Sequence, residues 1–386
     1  MTFEQSERLE DVPPSGIRRY FELAEEYDDI ISLGVGEPDF APPWAARDAA
    51  IASLERGQTS YTPNRGLREL REEIAANARE QYDLDYAPDE EILVTAGASE
   101  ALDLAFRAFH DPGDVVAVAQ PSYLSYVPSA KLAGAEVVDV PTRPEDEFKL
   151  TRDVLEDAGA ADADTLVMCY PNNPTGATMT GDELAEVAAF VREHDMRVFS
   201  DEIYADLTYE HDHTSIATLP GMRERTVVFN GFSKAFAMTG LRLGYAMAPP
   251  DAIEAMNRIH QYTMLSAPTT AQHAAIEALR NCRDEVVEMR EQYDSRRNFV
   301  LSRFAEMGVD CFPASGAFYV FPECPWEDSD AFAEALIEEE GVAVVPGHVF
   351  GAGGDGHLRV TYATGLGDLK EALARFESFV ERRPEQ

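Results

Sequence analysis

Among the side chains able to do covalent chemistry, one lysine stands out by its scarcity. The chain has 71 acidic residues against 32 basic ones, and lysine occurs only at 131, 149, 234 and 370. Lys234 sits in NGFSKAFAMTGLRLGY (230–245), directly after the β-branched run TVVFN (226–230). That pattern ends a strand in a glycine turn. It presents an amine at the strand's carboxyl edge, where open α/β sheets bind ligands. An amine in a partly desolvated site stays neutral and nucleophilic, as imine formation requires. Arg242 follows in a TGxRxG context and offers paired N–H donors suited to a phosphate dianion. A lone lysine ordinarily reads as surface charge; one kept in this setting by a lysine-poor chain reads as chemistry.

Four further segments bring polar or flat groups to strand ends. In YPNNPTG (170–176), Pro174 and Gly176 mark a tight turn that offers the Asn173 amide, although Asn-Pro turns are common. In SDEIYADL (200–207), Asp201 stands at a strand end with Tyr204 behind it. A carboxylate there can keep a pyridine nitrogen protonated and a phenol can bond a ring oxygen; the aspartate also reads as a helix cap. TAGASEALDLAF (95–106) reads as strand, small-residue turn and helix start. Ala98 and Ser99 then offer N–H groups and a hydroxyl to a phosphate, while Ser99 doubles as a candidate N-cap. Tyr123, in QPSYLSY (120–126), is placed to stack on a flat ring.

The elements that must position these groups are legible between about 91 and 248. Runs such as EILVT (91–95), DVVAVA (114–119), EVVDV (136–140), DTLVMC (164–169), MRVFS (196–200) and LGYAMA (243–248) alternate with amphipathic stretches such as DELAEVAAFVREH (182–194). Strand and helix in repetition predict a largely parallel sheet with helices on both faces. RGLRELREEIAANARE (65–80) places Leu67, Leu70 and Ile74 on one helical face. A helical region spans about 251–307 with a break near Leu279–Asp284. Beyond it AFYVF (317–321), VAVV (342–345) and HLRVTY (357–362) alternate with helical patterns at 329–340 and 366–382, a smaller α+β domain. The length, 386 residues, agrees with two units. We place the large domain at 45–280 and the small one at 1–44 and 281–386.

Together these motifs resemble the class I and II aminotransferases, the pyridoxal-phosphate enzymes of fold type I. The likeness runs from SLGVGEPDF (32–40) through SYTPNRGLREL (60–70) to RVTYAT (359–364). The resemblance implies an α/β fold and pyridoxal 5′-phosphate carried as an imine on Lys234. It implies Asp201 on the pyridine nitrogen, Asn173 and Tyr204 on the ring oxygen, and Tyr123 stacked on the ring. Ala98, Ser99, Ser233 and Arg242 hold the phosphate, and Tyr61 reaches the phosphate of a neighbouring subunit in a two-fold dimer. Arg359 clamps the substrate α-carboxylate beside the Gly36 backbone, with Tyr123 and Asn173 completing the substrate site. One departure is Gly231, where many members carry a phosphate-binding serine.

The reaction so implied moves an amino group from an L-amino acid to a 2-oxo acid such as 2-oxoglutarate, with ping-pong kinetics. The wording of YFELAEEYDDIISLGVGEPDF and RTVVFNGFSKAFAMTG resembles archaeal aromatic aminotransferases most, and aspartate aminotransferases next. Some aspartate-specific relatives carry a lysine where this chain has Ser99, so aromatic or broad substrates are expected. A carbon–sulfur β-lyase is a rival on the same fold. A regulator is a second rival, disfavoured because SLGVGEP begins at residue 32, which leaves no room for a DNA-binding domain ahead of it.

Composition narrows the rest. The net charge of −39 is spread along the chain, as at Glu22, Glu25, Glu26, Asp28, Asp29, Asp328, Asp330, Glu338, Glu339 and Glu340. A dispersed acidic surface suits a very salty cytoplasm and opposes nucleic-acid binding. Cys169, Cys282, Cys311 and Cys324 form no CxxC pair, so no zinc site or disulfide framework is expected. MTFEQSERLE lacks the features of a signal peptide, and no apolar run is long enough for a membrane span. A cytoplasmic protein is expected by elimination. GAGGDG (351–356) matches a dinucleotide fingerprint but precedes a strand pattern instead of a helix. His211 and His213 have metal-like spacing without a third ligand and read as a surface loop. Met and aromatic residues at 256–264 read as packing, with an interface role open.

Overall fold

The computed structural model describes residues 3–383 apart from Pro13, Glu26 and Asp28. Met1 and Thr2 of the N-terminal segment, and Glu26 and Asp28 of the acidic residues named above, lie outside the described residues. The β-branched runs form one seven-stranded sheet. Its spatial order is Ile92–Thr95, Gly244–Met247, Thr226–Gly231, Arg197–Asp201, Thr165–Cys169, Val115–Gln120, Glu136–Pro141. The five strands from Thr226–Gly231 to Glu136–Pro141 run parallel. Gly244–Met247 runs antiparallel to both its neighbours, Ile92–Thr95 and Thr226–Gly231.

Helices cover both faces, which explains why the inner strands read as unbroken apolar runs. Alternation sorts their side chains. Leu166, Met168 and Val198 join one buried cluster, while Val167, Cys169 and Phe199 join the other. Phe199 packs edge-on against Phe106 and Phe229, with ring centroids 5.3 and 5.7 Å away. Full burial of a ring of this size stabilises the fold by roughly 1.5–3 kcal/mol. On the same strand, Asp201 closes the row at the carboxyl edge.

The smaller sheet has three antiparallel strands, in the order Val345–Pro346, Leu358–Thr361, Tyr319–Val320. VAVV, expected as one strand, divides: Val342–Ala343 pairs in parallel with Ile31–Ser32, and Val345 turns into the other sheet. Helices Arg283–Met307, Ser329–Glu340 and Leu366–Arg382 pack around these strands. The helical region before them breaks at Cys282 as expected, and also between Thr263 and Thr269, where Pro268 has no N–H and Leu265 has φ +68°. No helix among the described residues is long and apolar enough to cross a membrane.

Candidate active site

Parallel strands share a carboxyl edge, so the loops that follow them converge. Asp201 is the last residue of its strand, and Lys234 follows the strand Thr226–Gly231. Asn173 follows Thr165–Cys169, Tyr123 follows Val115–Gln120, and Ala98 opens the helix Ala98–Phe109 after Ile92–Thr95. Arg359 arrives from the small sheet on Leu358–Thr361. These groups line one cavity of about 300 Å³, together with Gly36, Ser99, Tyr204, Ser233 and Arg242. Tyr61 lies outside it, with 81% of its surface exposed.

The Lys234 amine donates to the Gly36 carbonyl oxygen at 2.7 Å. Its proton affinity is lowered to about 8, first by burial and next by the Arg359 cation, against the pull of Glu37 and Asp201. Asp201 is raised to about 6 by burial, although the Tyr126 hydroxyl and the Ile203 N–H both donate to its carboxylate, at 2.7 and 3.1 Å. The residues directly after Asp201 form a turn and not a helix, so the N-cap alternative falls away.

Opposite this pair the chain forms an anion cradle. Ala98 and Ser99 occupy the first turn of a 12-residue helix, whose opening N–H groups have no intrahelical acceptor. Gly97, not Ser99, is the N-cap. A Cβ on Gly97, whose φ is +81°, would come within 2.7 Å of Arg242 Nη2, so only glycine lets the guanidinium lie against the turn. The departure at Gly231 has a steric cause. It pairs with Gly244, whose Cα would sit 2.9 Å from any Cβ placed there.

Arg359 is buried. Its Nη1 donates to Asn173 Oδ1 at 3.0 Å and its Nη2 to the Gly34 carbonyl oxygen. The guanidinium lies over the rings of Tyr319 and Phe350, 4.7 and 4.6 Å from their centroids. Its Nε is buried without a hydrogen-bond partner, a donor free for an incoming carboxylate. Cradle, amine and carboxylate fit a phosphorylated pyridine aldehyde, and Arg359 fits an amino acid beside it.

The model of the family "Aminotransferase class I and II" matches residues 28–376. The chain is a class I and II aminotransferase. An "Aspartate aminotransferase" of Pyrococcus abyssi is 43% identical over 98% of both chains. An "Aromatic-amino-acid aminotransferase 2" of Thermococcus litoralis is 42% identical, again over 98% of both. The crystal structure of an aromatic aminotransferase from Pyrococcus horikoshii superposes with a TM-score of 0.89 at 43% identity, covering 94% of this chain and 99% of that one. The aminotransferase has the fold type I architecture, uses pyridoxal 5′-phosphate, and transfers amino groups between amino acids and 2-oxo acids.

Three hydroxyl-bearing cavity residues escaped the sequence reading. Tyr126 holds Asp201, Tyr319 bonds the Tyr204 hydroxyl at 3.0 Å, and Thr239 donates to Glu37. Only the proximity of Tyr126 to Tyr123 in SYLSY hinted at one of them. Outside the cavity, His213 is not a surface residue. Its side chain is 7% exposed and its Nε2 lies 2.9 Å from Glu202 Oε2. GAGGDG forms a turn with three positive-φ glycines ahead of Leu358–Thr361. Of the residues at 256–264, Met256 is buried while Tyr262 is 87% exposed, so packing accounts for only part of that stretch.

Proposed function

We propose that this aminotransferase acts on aromatic or broadly varied L-amino acids by a ping-pong mechanism, with Lys234 as the proton carrier. The observation that carries the substrate reading is the cavity's charge. Among its described lining residues the cations are Lys234, Arg242 and Arg359, and Ser99 adds a hydroxyl where some aspartate-specific relatives place a lysine. With Arg359 given to the α-carboxylate, no further arginine of the lining faces a second acid group. Ile17, Leu102 and Tyr123 contribute apolar surface instead.

When bound, pyridoxal 5′-phosphate supplies an electron sink for the substrate's α-carbon. The chain's own groups do the rest. Arg359 binds the α-carboxylate, aided by the Asn173 amide, and fixes which bond faces Lys234. The Lys234 amine, neutral above pH about 8, would take the substrate's α-proton and serve as its carrier. Asp201 would keep a proton on the pyridine nitrogen, and Ala98, Ser99, Ser233 and Arg242 would hold the phosphate. Tyr123 would lie against the ring, and Tyr204 would donate to the ring oxygen.

A dimer belongs to the same proposal. Trp44, Ile51, Leu54, Tyr61, Tyr262 and Met264 are exposed. The Tyr61 loop is tied to the Tyr262 region by Asn64 Nδ2 on the Leu265 carbonyl, 2.7 Å, and Thr269 Oγ1 on the Ser60 carbonyl, 2.9 Å. An apolar face of this kind suits a second copy, into whose site Tyr61 would reach. We further assign 45–280 to the large domain and the remainder to the small one, and read the −39 charge as adaptation to a salt-rich cytoplasm. The deciding experiment follows the visible absorbance of the loaded enzyme against a panel of amino acids in molar KCl. Tyrosine and phenylalanine should bleach the band faster than aspartate; the reverse order would make it an aspartate aminotransferase. Lys234→Ala should lower turnover by at least about 10²–10⁴-fold.

A further inference from the structure

His260 and Glu100 form a buried pair behind the anion cradle. His260, on the helix Pro250–Thr263, is fully buried. Its Nδ1 lies 2.6 Å from Glu100 Oε1 and its Nε2 lies 2.9 Å from the Asn64 carbonyl oxygen. A carbonyl oxygen only accepts, so Nε2 carries a hydrogen. The Nδ1–Oε1 contact then needs a second hydrogen, held by one atom or the other. Wherever that proton sits, histidine and glutamate together are neutral.

Glu100 stands in the first turn of the helix Ala98–Phe109, next to Ser99, and its Oε2 accepts the Ala96 N–H at 2.5 Å. The glutamate thus orients the turn that ends in Gly97 and Ala98. A carboxylate so close to the cradle would repel a phosphate dianion if it stood alone, and a buried site screens that repulsion little. We propose that His260 is a positioning residue for the cofactor phosphate: its proton neutralises Glu100, letting the glutamate orient the cradle without opposing the dianion. The same ring anchors Asn64, in the loop that carries Tyr61, to the cradle helix. This inference rests on reading Ala98, Ser99 and Arg242 as the phosphate site.

The test compares pyridoxal 5′-phosphate with pyridoxal, which lacks the phosphate, binding to cofactor-free protein in molar KCl. In His260→Gln, affinity for pyridoxal 5′-phosphate should fall about tenfold or more, while affinity for pyridoxal stays within about twofold. The double variant Glu100→Gln/His260→Gln should recover to within about threefold of the parent. Equal losses for both ligands, no loss at all, or a double variant as weak as the single would overturn the proposal. Should His260→Gln fail to fold, Glu100→Gln alone decides. It should bind pyridoxal 5′-phosphate at least as tightly as the parent, and a tenfold loss would overturn the proposal. Arg242→Ala separates the two readings, because unchanged binding in that variant would remove the phosphate site itself, whatever the His260 variants do.

Discussion

At Lys234 the opposing influences can be ranked. Burial and the Arg359 cation drive the proton off, Glu37 and Asp201 hold it on, and the balance falls near 8. A neutral amine is the form that attacks an aldehyde, so it is populated above that pH and lost below it. The rate at which cofactor-free protein captures pyridoxal 5′-phosphate should therefore rise through pH about 8 and level off. A rate still climbing at pH 10, as for an ordinary lysine, would contradict the burial assigned to this side chain. Lys149, by contrast, is held by Glu147 and Glu183 in surface ion pairs, which is what most lysines do. Lys234, proposed as the proton carrier, was legible because composition made it an exception. Tyr319 was not, since a tyrosine in AFYVF reads as core alternation, and only the folded chain brings its hydroxyl to Tyr204. His260 and Glu100 were invisible as a pair for the same reason: no local pattern links residues so far apart.

At the scale of elements, the site depends on three segments meeting at Gly244. A Cβ there would lie 2.3 Å from the Ala98 nitrogen and 2.6 Å from the Gly97 carbonyl carbon. Neither is a flexible side chain, so the cradle turn would have to move. Gly244→Ala should destabilise the protein by about 1–3 kcal/mol and weaken cofactor retention, read as a lower denaturant midpoint and a faster loss of visible absorbance. An unchanged midpoint with unchanged retention would sink this account. The strands that position the site were readable from β-branched runs bounded by turn residues. What escaped was direction and partnership. Nothing in LGYAMA announces an antiparallel strand, and the four apolar residues of VAVV give no sign that they serve two sheets. Pro268 marked a break that the helical periodicity around it concealed.

For the whole molecule the controlling quantity is charge. Twenty-eight ion pairs of arginine or lysine within 4 Å among the described residues engage most arginines yet leave a large acidic excess, since the formal net charge is −39. Self-repulsion of this size is screened over about 3 Å at molar ionic strength and over about 30 Å in dilute buffer. The melting temperature should therefore rise between dilute buffer and molar KCl, with sedimentation showing a dimer in the latter. A melting temperature indifferent to salt would leave the acidic surface without this role.

The pairing of Val94 with Tyr245 sets a timetable for synthesis. Ile92–Thr95 is fully buried and finds its partner strand only in Gly244–Met247. While the ribosome makes everything in between, the nascent chain carries an apolar strand with no edge to join. A chain released before Gly244 is added would expose that strand and leave the cradle turn at Gly97–Ala98 without the backbone that packs against it. Truncated products should thus be clients of chaperones and proteases, and the anion site should be held together only once Gly244–Met247 has been made.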